Sequence, residues 1–257
     1  MMPCQAGGLS TRRACATFRV QRPRLAGSEW MGIMARIVDL PPGRSRPGDP
    51  SPSSDIAFTP RVKAIQARKG SRGGYAAMEA KGGWRSEITP DLAGFIETQR
   101  SFFLATASAD GQPYVQHRGG PPGFLRVLGP RTLGFADYRG NRQYVSQGNL
   151  EENPRAFLFL IDYATRQRIK LWGRARVVED DPELIARLMP EGYDARPEQA
   201  ILFEVAAWDA NCQQHIPQRF QAEDVARALA ERDTRIAALE AELAALRAGR
   251  GIGAGAR

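Results

Sequence analysis

Apolar residues change their spacing along the chain, and the changes divide it. Helical spacing comes first. Thr59-Pro60 is a helix cap followed by proline at the first helical position, Val62, Ile65 and Gln66 follow at helical spacing, and Gly70 ends the element. Tyr75 to Ala80 forms a second short helical piece, closed by Gly82-Gly83. Thr89-Pro90-Asp91 repeats the start signal, and Leu92, Phe95 and Ile96 make one apolar face.

From Ser101 the period shortens to that of strands. Phe102 to Ser108 and Pro113 to Arg118 flank Asp110-Gly111, a strong hairpin signal. Phe124 to Leu128 and Thr132 to Ala136 flank a turn at Gly129-Pro130. Asn141 to Glu152 reads as a helix stopped by Pro154. Arg155 to Tyr163 and Gln167 to Glu179 are the longest strands, Asp181-Pro182 opens a short helix to Met189, and Ala200 to Trp208 is the last strand. This order predicts a mainly β fold with flanking helices, closed as an antiparallel barrel.

Two strands say more than their length. Both faces of 155–163 are apolar, which predicts one face on the barrel interior and the other on a partner. The strand 167–178 alternates strictly. Ile169, Leu171, Ala175 and Val177 point one way, and Arg168, Lys170, Trp172, Arg174 and Arg176 point the other. A cationic face is ordinarily solvated, but cations interleaved with an indole also suit an anionic aromatic ligand.

The last segment, 222–248, returns to helical spacing. Val225, Leu229, Arg232, Ile236, Leu239, Leu243 and Leu246 alternate in steps of four and three, a heptad seam broken at Arg232. Two readings stay open: a coiled coil about 33 Å long, or a helix folded back on its own barrel. Residues 249–257 read as a flexible end.

Composition adds a boundary. The chain has 257 residues and a formal net charge of +8. Eight Arg against three acids in residues 1–53 hold most of that excess, alongside 6 Gly and 7 Pro. We read 1–53 as a disordered basic Pro/Gly-rich tail. A nucleic-acid arm and an organelle transit peptide are the functional alternatives for it. The ordered part lacks the charge and aromatic clusters of a nucleic-acid binder. No apolar run is long enough to span a membrane. Three Cys make no disulfide framework, so a cytoplasmic setting is expected. With only His117 and His215, and Cys212 three residues before the latter, the ligand count argues against a metal.

Four segments, in this order, resemble the pyridoxamine 5'-phosphate oxidase-related family of FMN-binding split barrels: FFLATASADGQPYVQHRGGPPGFL, LGFADYRGNRQYVSQGNLEENPRAFLFL, RQRIKLWGRARVVE and FEVAAWDANCQQHIPQRF. The resemblance covers roughly 54–221. It implies a homodimer with FMN in the cleft between subunits.

It also implies cofactor residues. The strand after the hairpin would run along the flavin with Gln116, His117 and Arg118. The oxidase has Arg at the first of these and Lys where Pro121 stands, so Arg118 is the expected replacement cation. The family's Gly-Ser-Arg-Lys at a helix start is matched by Gly140, Asn141, Arg142 and Gln143, with Asn141 as the cap. A helix start suits phosphate because free N–H groups and the dipole face the anion. Arg168 and Lys170 would lie at the flavin's polar edge, Trp208 and Arg219 match the family's late Trp and Arg, and His215 is a candidate on the substrate side.

The vitamin oxidase itself is not expected. Its substrate-phosphate Tyr and Ser have no counterparts in Pro182–Pro190, where Arg187 alone could serve. The expected function is an FMN-binding flavoprotein oxidoreductase acting on a small molecule through flavin N5. The alternative is a non-catalytic carrier or sensor of flavin, deazaflavin or haem.

Overall fold

The computed structural model describes residues 51–251. Nearly all of the tail 1–53, and most of the end 249–257, therefore lie outside the described residues. A 3-10 turn at Ser53–Ile56 leads into α1 (Pro60–Arg68), α2 (Arg72–Glu79) and α3 (Pro90–Glu97). The expected caps form: Thr59 Oγ1 accepts from the Val62 amide at 3.3 Å, and Thr89 Oγ1 from that of Leu92 at 3.2 Å. Lys63 reaches Asp55 at 2.6 Å and Glu79 at 3.2 Å, and Arg72 also pairs with Glu79. These bonds tie the first two helices together.

Seven strands follow, β1 (Ser101–Ala107), β2 (Pro113–Gly119), β3 (Arg126–Gly129), β4 (Thr132–Tyr138), β5 (Arg155–Asp162), β6 (Gln167–Val178) and β7 (Pro197–Asn211). α4 (Val145–Glu152) and α5 (Pro182–Leu188) interrupt them, and α6 (Ala222–Gly251) ends the described chain. Pairing is antiparallel throughout, in the order β2-β1-β5-β6-β7-β4-β3.

Side chains show that this sheet curls onto itself. Three strands separate β1 from β4, yet the rings of Phe102 and Phe135 meet edge-on at 5.1 Å. Arg118 of β2 and Asp137 of β4 approach to 2.7 Å. The backbone ladder stops at β2 and β3 while the core continues between them, which is a split β-barrel. Inside it Leu104, Phe135, Leu158, Leu171 and Phe203 are almost wholly buried with Leu92 and Phe95 of α3.

Some boundaries differ from the sequence pattern. Phe124 and Leu125 are buried ahead of β3 rather than part of it, because Gly123 takes φ +85° and turns the chain first. β7 runs to fifteen residues, pairing with β4 over Pro197–Glu204 on one edge and with β6 over Ala200–Asn211 on the other. β5 is fully buried on one face only: Ala156, Leu158 and Leu160 are in the core, whereas Phe157, Phe159 and Ile161 are half-buried on the outer face.

Two glycines are required by space. A Cβ on Gly173 would lie 2.0 Å from the Glu204 carbonyl oxygen, at the bulge where β6 and β7 change register. Gly83, at φ +85°, has the Ser53 and Ser54 amides 2.9 Å from where its Cβ would be. Ser53 donates to the carbonyls of Gly82 and Trp84 there, so the ordered unit includes Ser53.

α6 does not fold back. Its side chains from Ala222 to Ala248 are exposed throughout, and its tie to the barrel is an ion pair between Glu223 and Arg100 at 3.3 Å. Among the described residues no helix is long and apolar enough to cross a membrane.

Candidate functional site

Strand alternation decides where the predicted residues go. Register across the sheet aligns His117, Phe103, Phe159, Lys170 and Asp209 in one row. The next row holds Gln116, Leu104, Leu158, Leu171 and Trp208. Directly paired residues share a face, and successive residues do not. The first row therefore lies outside the barrel and the second inside. Gln116, His117 and Arg118, expected to line one ligand together, are divided: His117 faces outward and is exposed, while Gln116 and Arg118 face inward.

The inward group gathers at one end of the barrel. Ser146, buried in the first turn of α4, donates to Gln116 Oε1 at 2.9 Å, and Asn149 donates to Thr106 of β1 at 3.0 Å. These bonds fix α4 against β1 and β2. Arg118 lies against Asp137, which also accepts from buried Gln199 at 3.1 Å. Burial pushes the Asp137 carboxyl above the usual range, and the Arg118 guanidinium opposes the shift without cancelling it. Arg118, expected as the replacement cation, is thus paired with a buried carboxylate. Beside it, burial pushes the Tyr138 hydroxyl up to about 12, so it stays neutral.

The loop before α4 departs from expectation. The helix begins at Val145, not Asn141, because Arg142 and Tyr144 take left-handed conformations at φ 60° and 54°. Tyr144 is the cap. Asn141 instead makes a turn, its Oδ1 accepting from the Gln143 amide at 3.3 Å. Arg139 to Val145 are exposed. Arg142 Nε donates to the Tyr144 hydroxyl at 2.7 Å, and its side chain is 54% exposed. Arg142 and Arg139 approach one carboxylate oxygen of Glu198 at 3.7 and 3.6 Å. Two guanidiniums against one carboxylate leave a net positive charge beside the first-turn N–H groups of α4, which have no acceptor within the helix. That combination fits a phosphate. Next to it a cleft of about 650 Å³ is lined by Gln147, Glu151, Glu179, Arg196 and Glu198. Its carboxylates repel an anion, so of the two the exposed loop is the more favourable place for one.

Sequence reasoning missed Arg139, Ser146 and Glu198. Arg139 lies next to the quoted motif and could have been found there. Glu198 comes from β7, some 56 residues after Arg142, and nothing local announces it.

The outward group is different in character. Lys170 pairs with Asp209 at 2.9 Å and lies over the rings of Trp172 and Trp84, at 5.2 and 5.8 Å. Trp84 stacks on Trp172 with centroids 4.6 Å apart and planes 14° apart, and Phe157 meets Trp172 edge-on. The segment after α2 thus supplies the flat ring that the cationic face of β6 was expected to receive from a ligand. Arg168 lies two residues along the same face, and the rings of His117 and Phe103 meet at 5.7 Å.

Three predicted residues fall elsewhere. Trp208 is a core residue, 3% exposed, whose indole N–H donates to the Glu87 carbonyl at 2.8 Å. Arg219 lies over the Tyr163 ring at 4.8 Å. His215 is exposed in a turn at φ 62°, close in sequence to exposed Cys212. No group of three or more His, Cys, Asp or Glu side chains converges as a metal site among the described residues.

Residues 88–212 match the family model described as pyridoxamine 5'-phosphate oxidase. This segment belongs to the pyridoxamine 5'-phosphate oxidase family. It contains all seven strands, α4 and the 139–144 loop. Three solved structures are similar to the chain. HupZ of Group A Streptococcus is 17% identical, with 52% of this chain and 99% of that one covered and a TM-score of 0.41. An FMN-binding protein of Syntrophomonas wolfei is 11% identical, with 57% and 97% covered and a TM-score of 0.39. HutZ, the haem storage protein of Vibrio cholerae, is 20% identical, with 46% and 89% covered and a TM-score of 0.35. No curated protein matches the chain.

Proposed function

We propose that this chain is an FMN-binding oxidoreductase that works as a homodimer in the cytoplasm. The observation that carries the reading is the positively charged loop at the start of α4, Arg139 to Tyr144, inside a pyridoxamine 5'-phosphate oxidase-family segment.

In this reading Arg142, Arg139 and the first-turn N–H groups of α4 hold the phosphate. The Ser146–Gln116 bond keeps that turn at a fixed place on the barrel. The half-buried outer face of β5, with Phe157, Phe159 and Ile161, meets the second protomer, since an apolar face of this kind gains by leaving water. His117 and Arg168 lie on that same outer face and line the flavin ring, while Lys170 is taken up by Asp209 and the rings of Trp84 and Trp172. The Arg168 cation would favour negative charge on the ring's polar edge. Bound FMN would supply hydride or electron exchange at N5, the chemistry no side chain of this chain provides. The small-molecule substrate lies on the same side, with His215 as its polar contact. Trp208, Arg118 and Arg219 have structural partners and take no part.

The test compares FMN with riboflavin by flavin-fluorescence titration. Replacing Arg142 by Ala should weaken FMN binding by about tenfold or more, as expected on losing a charge-assisted phosphate contact. Riboflavin binding should be unchanged. Equal losses for both ligands refute the phosphate assignment. A purified chain that takes up haem or a deazaflavin instead of FMN refutes the cofactor.

A further inference from the structure

α6 leaves the barrel as a bare helix carrying a continuous apolar stripe. Val225, Leu229, Ile236, Leu239, Leu243 and Leu246 are each 43–60% exposed. A helix whose apolar side chains pack against nothing is marginal in water. The stripe is spaced for a partner helix, and its flanking charges say which one.

We infer that α6 pairs in parallel with α6 of a second copy of this chain, as a two-stranded coiled coil. Leu229, Ile236 and Leu243 take the a positions, and Val225, Arg232, Leu239 and Leu246 the d positions. In a parallel pair each g residue faces the e residue five places on in the partner. Arg235 then faces Glu240 of the other copy, and Glu242 faces Arg247, with both pairs repeated by symmetry. An antiparallel pair with full overlap brings g to g and e to e. Arg235 would face Glu242, but Glu240 would face Asp233, two carboxylates together. Charge therefore selects the parallel arrangement. Arg232 supports the same choice: a side chain at d packs beside the partner's e position, here Asp233, so each seam cation has a carboxylate across the interface. A leucine there would make a stronger coil, but one less bound to a single register.

A parallel coil places both barrels at the same end. Its axis is then the two-fold axis of the assembly, and the chains joined by the coil can also be joined by their barrels.

Disulfide trapping in the full chain tests this, with Cys4, Cys15 and Cys212 replaced by Ser. Leu246→Cys alone should give a covalent dimer on mild oxidation, because identical d positions meet in a parallel coil. Trapping only when Leu246→Cys is mixed with Leu229→Cys would mean an antiparallel pair and overturn the inference. Failure to trap in either format would overturn it too. Thermal melts give a second measure: Arg235→Glu should lower the midpoint, and adding Glu240→Arg should restore it. Restoration by Glu242→Arg in place of Glu240→Arg would again mean antiparallel helices. Flavin plays no part in the cross-link, so a chain that cross-links but binds no FMN refutes the cofactor proposal and leaves the coil standing.

Discussion

Replacing Trp208 by Phe separates a core role from a cofactor role. The family resemblance gives this Trp to the flavin, and its surroundings give it to the core. Its ring is 3% exposed, its indole N–H donates to the Glu87 carbonyl at 2.8 Å, and its amide donates to the Arg85 carbonyl at 2.8 Å. Phe keeps an aromatic ring but loses the N–H and part of the volume. Losing a part-buried hydrogen bond costs about 1 kcal/mol, and the smaller ring leaves a partly collapsed void costing about 1 kcal/mol more. A loss of about 2 kcal/mol lowers the melting midpoint of a chain this size by about 4–8 °C. Differential scanning fluorimetry, with and without FMN, measures the shift, and fluorescence titration measures affinity. The midpoint should fall equally in both conditions, with FMN affinity unchanged. An unchanged midpoint together with weaker FMN binding would refute the core role.

Other expectations follow from the same contacts. Glu198→Gln removes the carboxylate that opposes an anion at Arg139 and Arg142, so FMN should bind more tightly while riboflavin does not, as read by the same titration. Gly173→Ala drives a Cβ into the Glu204 carbonyl, which is backbone of the paired strand, so the chain should fail to accumulate as folded protein in a soluble-yield and circular dichroism comparison. Glu79 is held below the usual carboxylate range, first by its hydrogen bond from Arg72, so it stabilises the fold above its unfolded pKa and loses that contribution as pH falls through the lowered folded value. Wild type should therefore melt above Glu79→Gln at neutral pH, and the two curves should converge in acid below about pH 4.

The barrel was legible because its signals are local. Asp110-Gly111 gives the hairpin, proline after Thr89 gives a helix start, and strict alternation in 167–178 gives inside and outside for the central strand. What was not legible is contact between distant segments. Nothing near Trp172 announces that Trp84 will stack on it, and nothing near Arg118 announces Asp137. The segment 140–143 does lead into a helix, but that helix starts later than expected, because left-handed conformations at Arg142 and Tyr144 are not encoded by glycine. Reading Gln116, His117 and Arg118 as one ligand surface overlooked a rule available from sequence, that neighbours on a strand face opposite ways.

Whether the purified protein takes up FMN tests the proposed function most directly. Its absorption spectrum, recorded after equilibration with FMN and removal of unbound ligand, answers this. The prediction is a flavin spectrum at one FMN per protomer, with the cofactor retained by wild type and released from Arg142→Ala. A colourless protein, or one that shows a haem Soret band in place of the flavin spectrum, would contradict it.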